Sequence, residues 1–277
     1  MNTDKSPIID LGAWLAQPAG SYILEWEQTL LDQLTVDIFG FNAVQIGLPQ
    51  IDALRANRMP NKWRTNNSLP ASPAKRRDML SVSDLSDAAG MADSVNPVLP
   101  PIVLCHDFCE LPFDSHSIDL VVLPHILEFA EEPHQILREV ERILIPEGRV
   151  IICGFNRASL WGARQAAGRL AGNYFLPKEG DFISVPRMKD WLKLLNMEVN
   201  HTDFGCYAPP FRTEKWLKRS GLMENAGSRW WPYFGATYTI QAIKRIKGMH
   251  LIGPAWKHKR AARGNAVPVT NRNKNHG

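Results

Sequence analysis

Four cysteines among 277 residues are too few for a disulfide scaffold. No uncharged apolar run approaches the ~18 residues that a spanning helix needs, so no membrane span is expected. The opening stretch MNTDKSPIID has neither the basic region nor the apolar core of a secretory signal. Together these absences predict a soluble, cytoplasmic setting. The 20 prolines and 19 glycines follow no period, which excludes collagen-like and coiled-coil chains. No G-x-S-x-G or phosphate-loop pattern occurs. Acidic residues are missing from positions 244–277, which hold nine Lys and Arg. The remaining residues carry 23 basic and 28 acidic groups, a net of −5 beneath an overall charge of +4. An acidic body thus bears a basic tail, poor in apolar periodicity from Pro254 onward and read as disordered. Such a tail suits plain solubilisation or attachment to nucleic acid.

What is present is an alternation of apolar patterns. The segment SYILEWEQTLLDQLTVDIF carries Ile23, Trp26, Leu30, Leu34 and Ile38 at near-helical spacing, and Gly40 can end that helix. NAVQIG (42–47), PIVLCHD, SIDLVVLP and RVIICGF read as strands. PHQILREVERILI (133–145) reads as an amphipathic helix with Pro133 at its start. A helix over Arg187 to Leu195 and strands near Glu198–Phe204 and Ala236–Ile243 follow. Residues 60–101 hold six prolines and a polar run, and read as an insertion or mobile loop. The chain then divides into an N-terminal helical segment (1–40), a main domain (41–245) and the basic tail (246–277). Alternating strands and helices predict a mostly parallel sheet, with ligands beyond the strands' carboxyl ends where the strand order reverses.

The run from Cys105 to Asn156 carries the most specific pattern. Asp107, Leu111-Pro112-Phe113, Asp119, His125 to Glu128, Pro133, Leu137, Glu139, Arg142, Leu144, Pro146 and Gly148 stand at fixed spacings. This run resembles the second half of class I S-adenosylmethionine (SAM)-dependent methyltransferases with a type 11 domain. Glu147 replaces one glycine of that family's P-G-G. With GFNAVQIGLPQ, GFNRASLWG and RWWPYFGATY, the chain looks like the bacterial YafS-like branch.

The resemblance implies a Rossmann-like sheet whose last strand is antiparallel, helices on both faces, and SAM as cofactor. It implies that Asp107 accepts a hydrogen bond from the adenine amino group and that the Phe108 N–H meets a ring nitrogen. Asp107 as a mere turn cap is the alternative. Leu123, Pro124 and His125 would lie beside the reactive methyl. His125 would orient the methionine end, act as a base, or simply be hydrogen-bonded to backbone. Glu128 and Glu139 read as structural, Glu139 pairing with Arg138 or Arg142.

The first half departs from the pattern. The glycine-rich loop after the first strand is reduced to Gly47-Leu48-Pro49-Gln50, and Pro49 has no N–H. Polar substitutes near Gly47 would be Gln50, His125 and Glu27. Leu48 or Pro49 in place of the cofactor's methionine end would instead point to a non-catalytic protein. Asp84, after the apolar MLSVS, is one candidate to hold the ribose hydroxyls. The alternative is that strand 2 is KWRTN, with no acid at its end. Cys105-His106-x-x-Cys109 offers at most three metal ligands, so no metal is expected. Trp161, Tyr174, Phe175, Tyr207, Phe211, Trp216, Trp230, Trp231 and Tyr233 suit either a lid core or a pocket for a flat or apolar acceptor. The expected function is SAM-dependent methyl transfer to a small-molecule acceptor. A non-catalytic binding or scaffold protein, and a nucleic-acid-associated methyltransferase docking through its tail, are the alternatives.

Overall fold

Helices α1 (Pro7–Leu15) and α2 (Pro18–Val36) precede the first strand. The computed structural model describes residues 7–66, 102–105, 110–172, 174–177, 180–210, 224, 227 and 229–245. The elements that follow are β1 (Asn42–Ile46), β2 (Asn61–Asn66), β3 (Ile102–Cys105), β4 (Ile118–Pro124), α3 (Ile126–Phe129), α4 (Pro133–Ile143) and β5 (Leu144–Phe155). Then come α5 (Leu160–Ala171), α6 (Val185–Leu194), β6 (Met197–Gly205), a 3-10 turn at Pro232–Phe234 and β7 (Thr237–Lys244). All described residues fall in one compact unit, 1–246.

The seven strands run in the order β3-β2-β1-β4-β5-β7-β6. The pairs from β3 to β5 are parallel, and β7 is antiparallel to both its neighbours. The order reverses between β1 and β4, which makes their carboxyl ends the switch point where such sheets bind ligands. Strand alternation sends Ala43, Leu120, Val122 and Ile151 into one apolar core with residues of α1 and α2. Val44, Val121, Leu123 and Ile152 enter a second core with α4 and α6. Helices therefore cover both faces, as the sequence predicts. The opposite end of the switch point is pinned by Asp119, whose carboxylate accepts from the N–H groups of Phe41 (3.0 Å) and Asn42 (2.9 Å).

Several expectations change. Residues 61–66 lie within the stretch assigned by sequence to the insertion, yet form β2 and pair along the whole of β1, in agreement with the alternative that strand 2 is KWRTN. The signal was weak because only Trp63 among them is a large apolar residue. The buried stripe of α2 is Ile23, Glu27, Leu31 and Thr35, not Ile23, Trp26, Leu30 and Leu34. The two polar members hid it: Thr35 Oγ1 donates back to Leu31 O at 2.7 Å, and Glu27 has a buried partner. Pro146-Glu147-Gly148 does not end the helix as a free turn. It lies within β5, which shifts register there, with Glu147 at φ 64°. Helix α5 was not foreseen from sequence; Ser159 Oγ caps it by accepting from Gly162 N at 3.0 Å. The basic run begins inside the last strand: Lys244 is buried and its Nζ pairs with Glu141 at 2.9 Å. Residues 246–277 lie outside the described residues, as does most of the expected insertion from 67 onward. Among the described residues no helix is long and apolar enough to cross a membrane.

Candidate functional site

Two loops meet at the switch point, one after β1 and one after β4. Both hold residues in left-handed backbone: Gly47 (φ 78°) and Leu48 (φ 37°) in the first, His125 (φ 52°) in the second. Left-handed non-glycine residues cost about 1–3 kcal/mol each and gather at functional sites. At Gly47 the positive φ favours glycine, and a β-carbon would also lie 3.0 Å from Ile126 Cδ1. The adjacent ends of β1 and β4 thus carry Gly47, Leu123, Pro124 and His125. Asp84, Asp107 and Phe108 lie outside the described residues. The premise that set Asp84 at the end of strand 2 does not hold, because β2 is Asn61–Asn66 and ends in an amide.

His125 is 1% exposed and both its ring nitrogens are engaged. Nε2 lies 2.8 Å from Glu27 Oε1 of α2, and Nδ1 lies 3.0 Å from Glu128 Oε2 of α3. The ring also lies against Phe155, with centroids 4.3 Å apart. Glu128 Oε1 accepts from Phe155 N at 2.6 Å, so one carboxylate joins the ends of β4 and β5. Burial pulls the His125 pKa down, but the Glu27 charge and the hydrogen bonds from Glu128 and Glu27 outweigh it and raise it to about 10. Burial pushes Glu128 up, against its hydrogen bond with His125. With both ring nitrogens held by acidic side chains, the geometry favours a positioning role for His125. Glu27 Oε2 is buried and has no hydrogen-bond partner. The imidazole thus sits between two buried acidic side chains, and one oxygen of Glu27 is left without a partner.

The loop after β1 is held by a residue the sequence reading passed over. Gln45, fully buried on β1, donates through Nε2 to Leu48 O (3.1 Å) and Ile51 O (2.8 Å). Its Oε1 accepts from Ala53 N at 3.0 Å. A glutamine in an otherwise apolar strand was the available signal. Leu48, 1% exposed, packs in the core that contains Leu11 and Trp14 of α1, while Pro49 and Gln50 are exposed. Of the other proposed structural residues, Glu139 pairs with Arg142 at 2.9 Å.

The aromatic residues divide. Trp161 and Phe175 are buried and pack edge-on with Trp14. Trp230, Trp231 and Tyr233 are exposed at 54–70%, and Tyr207 and Tyr233 line an open cavity beyond the end of β5. Phe211 and Trp216 lie outside the described residues. Cys153 and Cys206 are buried in the core, and burial raises both thiol pKa values well above the usual range. The Cys105-His106-x-x-Cys109 group has no described side chains; among the described residues no cluster has the makings of a metal site.

Comparison with known proteins agrees with this architecture. Residues 77–152 match the family described as methyltransferase domain. The Escherichia coli (strain K12) protein YafS is 35% identical over 145 residues, covering 52% of this chain and 56% of YafS. The Methanocaldococcus jannaschii protein MJ1123 is 29% identical over 98 residues, 34% of this chain and 47% of that one. The chain thus matches about half the length of these curated relatives. A chain from the complex of the Haloferax volcanii Trm112 methyltransferase activator with a methyltransferase superposes with a TM-score of 0.56 at 17% identity, covering 87% of this chain and 99% of that one. That likeness concerns the fold. The chain is thus similar to the methyltransferase domain over residues 77–152 and to YafS over about half its length.

Proposed function

We propose that this protein is a SAM-dependent methyltransferase acting on a small-molecule acceptor. The observation that supports the reading is the switch point: Gly47 and His125 stand in left-handed backbone just beyond the paired strands β1 and β4, and His125 contacts Glu27, one of whose carboxylate oxygens has no partner. That oxygen fits the cofactor, whose sulfonium and ammonium are cations and would satisfy a buried acceptor. Gly47, Leu123, Pro124 and His125 would line the methionine end, and Glu27 would balance its positive charge. By resemblance, Asp107 and Phe108 would hold the adenine. The bound cofactor supplies an electrophilic methyl group on sulfur. The chain's task is then alignment of the acceptor, which contributes up to ~7–11 kcal/mol in well-oriented reactions. His125, fixed by two carboxylates, holds the end of β4 against α2 and orients Glu27.

A second reading, a methyltransferase fold that binds without catalysing, is supported by one observation. Leu48 and Gln45 close the loop after β1 with buried side-chain contacts where the family has bare glycine backbone. Calorimetric titration with SAM and with S-adenosylhomocysteine separates the two. Saturable binding of both, weakened by Asp107→Ala without loss of fold, is expected. Absence of heat with either ligand at millimolar concentration would leave the second reading standing.

A further inference from the structure

Beyond the end of β5 lies an open cavity of about 1010 Å³, of the size that takes a small organic ligand. Its walls are the loop after β5, the start of α6, β6 and the 3-10 turn. They are built rather than incidental. Asn156, 5% exposed, donates through Nδ2 to Tyr233 O (2.8 Å) and Gly235 O (2.9 Å), and its Oδ1 accepts from Ala158 N (3.0 Å). Tyr207 Oη donates to Pro232 O at 2.7 Å. The rings of Phe204 and Tyr233 meet edge-on at 5.6 Å. These contacts fix an aromatic wall before any ligand arrives.

The charges on the walls narrow the ligand. Arg157 and Lys189 both line the cavity, both are exposed, and neither pairs with a described acidic residue. The acidic residue on the wall is Asp203: its Oδ1 lies 3.0 Å from His201 Nε2 and its Oδ2 is buried without a hydrogen-bond partner, so one acid stands against the two cations. The start of α6 adds the positive end of a helix dipole, with no side-chain cap from Ser184. A ligand here meets an apolar, aromatic surface and two cations. We infer that the cavity binds a small organic anion with an apolar or aromatic body. Resting on the methyltransferase reading above, this anion is the methyl acceptor: Asn156 directly follows Phe155, whose ring lies against His125.

The test uses the full chain without cofactor and three probes that share one body: 3-phenylpropionate, 3-phenylpropan-1-ol and 3-phenylpropylamine. Binding is measured by calorimetry or ligand-observed NMR. The carboxylate should bind most tightly. Arg157→Gln and Lys189→Gln should each weaken it about three- to fivefold, as expected for solvent-facing charge pairs, and leave the alcohol unchanged. Tyr233→Ala should weaken all three probes, and Lys193→Gln, in the last turn of α6, none. Preference for the amine, or no saturable binding of any probe, would overturn the inference. Carboxylate binding in a protein that takes neither SAM nor S-adenosylhomocysteine would uphold the anion site and remove its role as an acceptor site.

Discussion

One edge of the sheet carries two unlike regions. At the ends of β1 and β4, charges are buried, mutually paired and packed beneath two helices. At the ends of β5 and β6, two cations stand exposed beside an aromatic wall. In the first region the chain supplies both halves of each interaction, leaving over a single oxygen of Glu27. In the second the described residues leave two like charges unanswered. A closed set of charges serves mainly to hold elements in place, and an unanswered set serves mainly to receive a partner. The first region therefore governs stability and positioning, and the second governs selection of a ligand.

The largest expected effect follows from breaking the buried set. Glu27→Ala removes one of the two carboxylates around the His125 imidazolium and leaves a buried charge half-compensated. Breaking such a pair costs on the order of 3–5 kcal/mol. Urea unfolding should show this loss, and Glu27→Gln, which keeps an acceptor for Nε2, should recover part of it. Loss below about 1 kcal/mol would mean that the pair is as weak as a surface pair, and the contrast between the regions would fail.

The chain shows the two regions with unequal clarity, for physical reasons. Strand β4, the second half of β5 and helix α4 were legible because local signals coincide there: Pro133 starts the helix, apolar residues recur at 3.6, and both strands carry dense runs of Leu, Val and Ile. Strand β2 was legible only as an alternative, since polar NKWRTN becomes a strand through its pairing with β1. The buried set was half legible. His125 and Glu128 lie three residues apart, but Glu27 is 98 residues distant from His125 and looked like the polar face of α2. Only tertiary structure turns that face inward. Of the aromatic residues foreseen as a pocket or a lid core, Trp161 and Phe175 are buried in the core, and Tyr207 and Tyr233 line the cavity. The anion preference inferred for it was not foreseen, because it depends on which side chains fold onto one wall.

A second, smaller effect is a pH dependence of the first region. The folded protein holds the His125 proton up to about 10, whereas an unfolded histidine releases it near its ordinary 6.5. Below pH 6.5 both states are protonated and the contribution is fully present. Between 6.5 and 10 the unfolded chain has lost the proton and the folded one keeps it, so stability falls as pH rises, by at most about 1.4 kcal/mol per unit. Glu128, raised by burial, acts with the same sign at lower pH, because its unfolded form ionises first. Denaturation midpoints at pH 6.5 and 9.5 should therefore differ in the wild type, and His125→Gln should flatten the difference. Equal slopes in the two proteins would show that His125 does not hold its proton.

The smallest expected effect belongs to the second region, and its smallness is the point. Arg157→Gln removes a charge that no described residue answers, so the folded protein loses no partner and exposes no orphaned group. Substitutions of that kind change stability by no more than about 0.5 kcal/mol. Removing one of two neighbouring like charges can even stabilise, since Arg157 and Lys189 share one cavity. The unfolding midpoint of Arg157→Gln should thus match the wild type or lie slightly above it, while its binding of 3-phenylpropionate weakens. A clear loss of stability would mean that Arg157 is engaged within the fold, by a residue outside the described set. The cavity would then present a single free cation, and its preference for an anion would rest on Lys189 alone.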